Sequence, residues 1–83
     1  MNCCHRITDS GIIELVKHLS RLKHLELWGC SELTDASLTA IRQRCSKLKF
    51  LNINDCTGMS LEGSERLKLC LHSLHGLHRR NLL

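Results

Sequence analysis

The sequence predicts an α/β solenoid of about three units of roughly 26 residues, with a short parallel sheet on one face and helices on the other. Cys4, Cys30 and Cys56 recur at equal intervals, and the residues around them recur with the same step. Each unit also combines a helix pattern with a strand pattern. A fixed period of this length is typical of stacked units that cannot bury their apolar side alone.

The chain has 83 residues, which is enough for a single domain spanning residues 1–83. The period divides it into units at approximately 4–29, 30–55 and 56–81. No apolar run approaches the length of a membrane span, and the first residues lack the apolar stretch of a secretory signal. We therefore expect no membrane association.

The strand pattern is an alternation of apolar and polar residues. Leu25 and Leu27 alternate with polar neighbours, which is the period of a half-buried strand. Leu51 and Ile53 repeat the pattern one unit later, and Leu77 falls at the same phase in a third copy. A helix between consecutive strands returns the chain to the same end of the sheet, so the strands are expected to run parallel.

The helix pattern begins after a Thr-Asp pair. Thr8-Asp9 precedes apolar residues at helix spacing, and Thr34-Asp35 precedes a second set. A Thr or Asp side chain at this point accepts hydrogen bonds from the first backbone N–H groups of a helix, and Asp also complements the helix dipole. Asp9 and Asp35 are therefore predicted to be structural residues at the helix starts.

The third unit departs from the pattern. Met59-Ser60-Leu61 stands where the first two units have an apolar residue followed by Thr-Asp, and Arg79 stands at the phase of Leu27 and Ile53. The last unit of a stacked array needs a polar outer face. The third unit is therefore interpreted either as a C-terminal cap or as a degenerate repeat.

Six cysteines in a secreted peptide would suggest three disulfides. Here Cys4, Cys30 and Cys56 share one phase of the repeat, and Cys45 shares its phase with two leucines. Buried free cysteines behave as small apolar residues. We therefore expect reduced thiols, structural roles for Cys4, Cys30 and Cys56, and a cytoplasmic or nuclear location.

The string Leu22-x-x-Leu25-x-Leu27-x-x-Cys30-x-x-Leu33-Thr34-Asp35-x-x-Leu38 resembles the cysteine-containing leucine-rich repeat, and Leu48 to Cys56 repeats its first part. The resemblance covers residues 4 to about 77. This repeat type is similar to the one in F-box proteins, whose curved arrays act as substrate receptors of cullin-type ubiquitin ligases. The resemblance implies a right-handed α/β superhelix and a protein partner, such as a ubiquitin-ligase substrate.

The F-box is a separate helical segment upstream of such repeats, and only Met1-Asn2-Cys3 precedes Cys4. The chain is therefore expected to be a fragment without the ligase-docking part. The alternative function is structural: a piece that completes a longer repeat array and has no partner of its own. The exposed ends of such an array also offer a route to self-association.

Strand alternation predicts which side chains project from the open face of the sheet, opposite the buried leucines. The candidate partner-binding residues on this face are His24, Glu26, Trp28, Phe50, Asn52, Asn54, His78 and Arg80. Trp28 and Phe50 are large aromatic residues of the kind that anchor protein interfaces. Trp28 is alternatively interpreted as packing against the neighbouring loop.

Lysine and arginine total 12 against 8 acidic residues, which gives a net charge of +4. The period gathers basic residues where helices connect to strands, pairing Arg21 with Lys47 and Lys23 with Lys49. This ridge is interpreted as a solvated face or as a surface for an acidic partner. Nucleic acid is not expected as a partner, because no aromatic side chains suited to stacking are interleaved with these residues.

No catalytic residue, metal ligand or cofactor is predicted. The sequence shows no nucleophile elbow and no glycine-rich phosphate loop. His72, His75 and His78 recur every three residues, but no Cys-x-x-Cys pair or carboxylate completes a zinc site with them. The sequence therefore favours a protein-binding module that is not an enzyme.

Titration of the denatured chain with a thiol reagent tests the expected redox state. We expect six reactive thiols both with and without prior reduction, because the repeat assigns its cysteines to packing. A thiol count that rises after reduction would reveal a disulfide and contradict this expectation.

Overall fold

Helices and strands alternate along the chain in the computed structural model, which describes residues 6–83. The helices are α1 (Asp9–Val16), α2 (Asp35–Arg44) and α3 (Leu61–Cys70). The strands are β1 (His24–Glu26), β2 (Phe50–Asn52) and β3 (Gly76–His78). Cys4, which the sequence assigns to the first unit, lies outside the described residues.

The three strands form one parallel sheet in the order β1-β2-β3. Leu25 pairs with Leu51, and Leu51 pairs with Leu77. Residues paired across neighbouring strands are therefore one full repeat apart in the sequence. Pairing continues past the strands, since the Leu27 amide donates to the Asn52 carbonyl at 2.7 Å. The α/β class and the parallel sheet are confirmed, and the superhelical array stays a prediction.

The core lies between the sheet and the helices and is built from residues at repeated phases. Leu25 and Leu51 of the sheet and Ile12 and Ile41 of the helices are fully buried. Helix α1 packs against α2, and α2 packs against α3. Each fully buried aliphatic side chain stabilises the fold by about 1.5–3 kcal/mol, so these columns of leucine and isoleucine hold the helices on the sheet.

The carboxylates of Asp9 and Asp35 join consecutive units, which differs from the predicted capping of their own helices. Asp9 accepts hydrogen bonds from the Thr34 amide at 2.9 Å, from the Thr34 hydroxyl at 2.6 Å and from the Ser37 hydroxyl. Asp35 accepts from the Ser60 amide at 2.8 Å and from the Ser60 hydroxyl at 2.6 Å. Each aspartate therefore holds the start of the following helix.

Hydroxyl side chains cap the second and third helices. The Thr34 hydroxyl accepts a hydrogen bond from the Ala36 amide at 3.2 Å, and the Ser60 hydroxyl accepts one from the Gly63 amide at 2.9 Å. Thr8 makes no such cap bond before α1. Ser60 thus replaces Thr34 in the third unit, while the aspartate that follows Thr34 has no counterpart there, since Leu61 holds that position.

A left-handed backbone residue follows each strand at the same phase of the repeat. Gly29, Asp55 and Asn81 have φ angles of 76°, 62° and 61°. Glycine adopts this conformation without a steric penalty, and Asn and Asp tolerate it better than other residues. The residue types at these positions therefore match the turn that ends each strand.

Polar contacts replace apolar packing at one place in the third unit. Arg79, which occupies an interior phase of the repeat, donates to the Ser64 hydroxyl at 3.0 Å and forms an ion pair with Glu65 at 2.5 Å. Ser64 is fully buried and stands at the phase of Ile12 and Leu38. The interior of the third unit is therefore partly polar at this place, and the choice between a cap and a degenerate repeat stays a prediction.

We expect Asp9→Ala to lower the free energy of unfolding by about 1–2 kcal/mol at neutral pH, because the Thr34 and Ser37 donors lose their acceptor. Burial opposes ionisation of Asp9, but hydrogen bonds from Ser37 and Thr34 outweigh it and hold the pKa of this carboxyl below its ordinary value of 3.8. A pKa lowered by folding stabilises the folded state above the ordinary pKa, and the stabilisation is lost as the pH falls. Urea unfolding across pH measures both effects.

The difference in stability between the wild type and Asp9→Ala should therefore shrink as the pH falls below about 4. Glu32→Ala, which removes an exposed carboxylate, is the control and should change stability little. A deficit in Asp9→Ala that stays constant on acidification would show that the ionised carboxylate is not what stabilises the junction.

Candidate interaction face

Three ring-bearing side chains form a row across the open face of the sheet. The His24 and Phe50 rings are stacked, with centroids 4.4 Å apart and planes inclined by 19°. His78 meets Phe50 edge to face, with centroids 5.0 Å apart and planes inclined by 64°. Because these residues come from β1, β2 and β3, the row spans all three strands. We call His24, Phe50 and His78 the ring row.

Gly76 makes room for the Phe50 ring. It pairs with Phe50 across the sheet, and a Cβ atom at this position would lie 2.8 Å from Phe50 Cδ2. The ring therefore leans over the β3 backbone and reaches His78. The sequence placed Phe50 and His78 on one face without foreseeing their contact, although a glycine at the paired position was the available signal.

Trp28 lies just beyond the end of β1, and its side chain is 48% exposed. In the part of the chain that the structure describes, its indole makes no ring contact with the ring row. The amide of the next residue, Gly29, donates to the Asn54 carbonyl at 2.8 Å and fixes the adjacent backbone. Trp28 therefore presents a large apolar surface and an N–H donor from a positioned turn.

Polar side chains predicted for the same face are partly used by the fold. The Glu26 carboxylate lies 3.2 Å from His24 Nε2. Asn52 Oδ1 accepts from the Asn54 amide at 3.0 Å, and Asn54 Oδ1 accepts from the Arg80 amide at 2.6 Å. The side-chain oxygens of both asparagines therefore support the strand ends, and their NH₂ groups take no part in these bonds.

Asp55 anchors the last predicted residue of the face. Its carboxylate accepts from Arg80 Nη2 at 3.2 Å and from Asn81 Nδ2 at 2.7 Å. These hydrogen bonds, that from Asn81 foremost, hold the pKa of the Asp55 carboxyl below its ordinary range. This cluster was not predicted from the sequence. The available signal was that Asp55 and Asn81 stand at the same position of consecutive units, and that a carboxylate can accept a hydrogen bond from an amide NH₂ group.

The four described cysteines are thiols, and three of them are buried. Cys30, Cys45 and Cys56 lie in the core, and the Cys56 thiol donates to the Leu27 carbonyl at 2.9 Å. Burial raises the pKa of the Cys45 and Cys56 thiols, which disfavours the reactive thiolate. Cys70 is exposed on α3. The repeat cysteines thus serve packing, with Cys56 also bonding the preceding unit.

Two shallow depressions lie on the described surface. Two depressions, of about 80 Å³ between α2 and α3 and about 180 Å³ beside β3, are below the size of ordinary ligand pockets. Between residues 6 and 83, no three His, Cys, Asp or Glu side chains come together as metal ligands. Within the same residues, no helix is both long enough and apolar enough to cross a bilayer.

Comparison with known proteins does not assign a family. A scan against protein-family models finds no match, and a search of curated proteins finds no similar sequence. The ring row and the neighbouring Trp28 are therefore the features from which a function is inferred.

We expect Gly76→Ala to displace the Phe50 ring, because the added methyl group would occupy the space beneath it. Ring-current shifts of the His24 and His78 imidazole protons, measured by NMR, should move toward their values in Phe50→Ala. In a Phe50→Ala background the same glycine substitution should leave these protons unchanged. Unaltered imidazole shifts in the single variant would show that the ring does not lie over Gly76.

Proposed function

We propose that this chain is a protein-binding module whose open sheet face holds a segment of a partner protein. The ring row carries this proposal, because it concentrates aromatic surface on a face from which polar side chains also project. Trp28 adds a second aromatic anchor, 48% exposed, at the edge of the same face. Phe50 itself is half-buried, and aromatic side chains surrounded by polar groups are typical of the centre of protein interfaces.

The side chains of this face supply complementary kinds of contact. Phe50 and Trp28 offer apolar surface, and the indole also offers an N–H donor. Glu26, which contacts His24, and Arg80, which pairs with Asp55, carry opposite charges on β1 and just after β3. Charged groups at an interface add specificity more than affinity. A partner segment with an apolar side chain between polar groups matches this arrangement.

We also propose that the three units are cysteine-containing leucine-rich repeats stacked as a right-handed α/β solenoid. Three observations support this assignment. Residues paired between strands are one repeat apart in the sequence, and Asp9 and Asp35 each bond the following unit. A left-handed turn residue also stands at the same position of every unit. By the resemblance of its repeats, the module would recognise substrates for a cullin-type ubiquitin ligase, acting in the cytoplasm or nucleus. An F-box segment would belong to a different part of such a protein.

A structural role in a longer array is the second candidate, and the state of β3 favours it. Leu25 and Leu51 are fully buried, but Leu77 at the same phase of β3 is only partly buried. β3 is also an edge strand, whose outer backbone groups are open to pairing with another strand. A further unit or a second copy of the chain placed against β3 would complete the burial of Leu77.

Quantitative capture of proteins from a cell lysate tests the open face. The wild type, Trp28→Ala/Phe50→Ala and Ile13→Ala/Leu69→Ala would each be immobilised at equal density, after circular dichroism has shown equal folding. Ile13 and Leu69 are exposed apolar residues of the outer helices, so their variant controls for loss of apolar surface. We expect partners shared by the wild type and the control to fall by at least about tenfold on the open-face variant.

Capture of the same proteins by all three baits would place the binding surface elsewhere. Capture limited to the chain itself or to other repeat-containing chains, and insensitive to Trp28 and Phe50, would support the structural role instead.

A further inference from the structure

We infer that a basic edge made of Arg21, Lys23, Arg44, Lys47 and Lys49 binds an acidic helical segment of a partner protein. These residues lie where α1 connects to β1 and where α2 connects to β2. All five are exposed. This surface differs from the open face, and binding to it does not depend on the partner proposed for Trp28 and Phe50.

The basic edge is not neutralised within the described chain. Among residues 6–83, lysine and arginine form ion pairs through Lys17, Arg66, Arg79 and Arg80. None of the five basic-edge residues takes part in these pairs. The acidic partners in these pairs are Glu14, Glu62, Glu65 and Asp55. Five positive charges therefore share one edge without an acidic neighbour bound to them.

Backbone pairing sets the positions of these charges. The Lys23 carbonyl accepts a hydrogen bond from the Lys49 amide at 2.8 Å, and the Lys49 carbonyl accepts one from the His75 amide at 2.8 Å. Residues paired in this way on adjacent strands lie about 4.8 Å apart. Arg21 and Lys47 precede the two lysines by two residues each and repeat the same step. The backbone that carries these four cations therefore forms two short rows, one in each connecting segment.

The connecting segments that carry the rows are held by repeated turns. The Leu22 amide donates to the Leu19 carbonyl at 3.0 Å, and the Leu48 amide donates to the Cys45 carbonyl at 3.1 Å. The Ser73 hydroxyl donates to the Leu48 carbonyl at 2.7 Å and ties the third segment to the second. A surface whose backbone is fixed in advance loses less conformational entropy on binding.

Interaction with a helix dipole accounts for the position of only one of the five basic residues. Arg44 is in the last turn of α2, where a cation interacts favourably with the helix C-terminus. The other four residues lie beyond the helix ends, and like charges within the Debye length of about 8 Å at physiological salt repel one another. Solvent and salt only screen this repulsion, whereas the carboxylates of an acidic partner would neutralise the charges.

The spacing of the rows favours carboxylates presented by a helix. Acidic residues three or four positions apart on a helix have Cβ atoms about 5–6 Å apart, close to the step between the rows. Lysine and arginine both bind carboxylates through charge-assisted hydrogen bonds. Single-stranded nucleic acid fits less well, because its binding relies on stacked rings, whereas Phe50 and Trp28 belong to the open face.

Fluorescence anisotropy with a synthetic peptide tests this surface. The probe is a labelled alanine-based helical peptide with glutamate at every fourth position. We expect Lys23→Gln/Lys49→Gln to weaken peptide binding by about fivefold or more, and Arg6→Gln/Arg66→Gln, which removes the same charge from other surfaces, to weaken it by less than about twofold. Circular dichroism establishes that both variants keep the fold.

Two further probes complete the experiment. A peptide of the same composition with its glutamates gathered at one end should bind more weakly than the spaced peptide. A single-stranded oligonucleotide of equal charge should also bind more weakly. Equal losses in the two variants, tighter binding of the oligonucleotide, or no measurable binding of the spaced peptide to the wild type would each overturn the inference.

Discussion

The carboxylates of Asp9 and Asp35 bind the start of the following helix, and the arrangement of the units depends on these bonds. Each aspartate accepts from the amide and the hydroxyl of the residue before that helix, which is Thr34 in one case and Ser60 in the other. Apolar packing is tolerant of small shifts, whereas a carboxylate held by two donors fixes direction and distance. These bonds thus align the helices while the leucine columns supply most of the stabilisation.

This alignment also determines what the sheet presents. Because the units are held in register, Phe50 lies beside His24 and opposite Gly76, and its ring reaches His78. The same register brings Lys23 and Lys49 to neighbouring strand starts. The aromatic face and the basic edge therefore both result from the same repeat period, although their chemistry suits different partner segments.

The sequence predicted those features that depend only on a residue's position within the repeat, such as which side of a strand is buried. Alternation around Leu25 and Leu51 predicted the buried side of the sheet, since side chains on a strand point to opposite faces in turn. It did not reveal that Asp9 reaches Thr34, because a carboxylate at a helix start has acceptable partners in its own helix as well as in the next. Contacts such as that of Phe50 with His78 depend on side-chain rotamers, which the spacing of residues does not specify.

The left-handed residue after each strand gives the repeat a second signature that is independent of hydrophobicity. In the third unit the apolar position is lost at Arg79, yet Asn81 keeps the backbone conformation seen at Gly29 and Asp55. Backbone geometry at a turn restricts the choice of residue even where core packing has been relaxed. In a degenerate unit that lacks the repeat leucines, a Gly, Asn or Asp at this position still indicates where the chain turns out of the sheet.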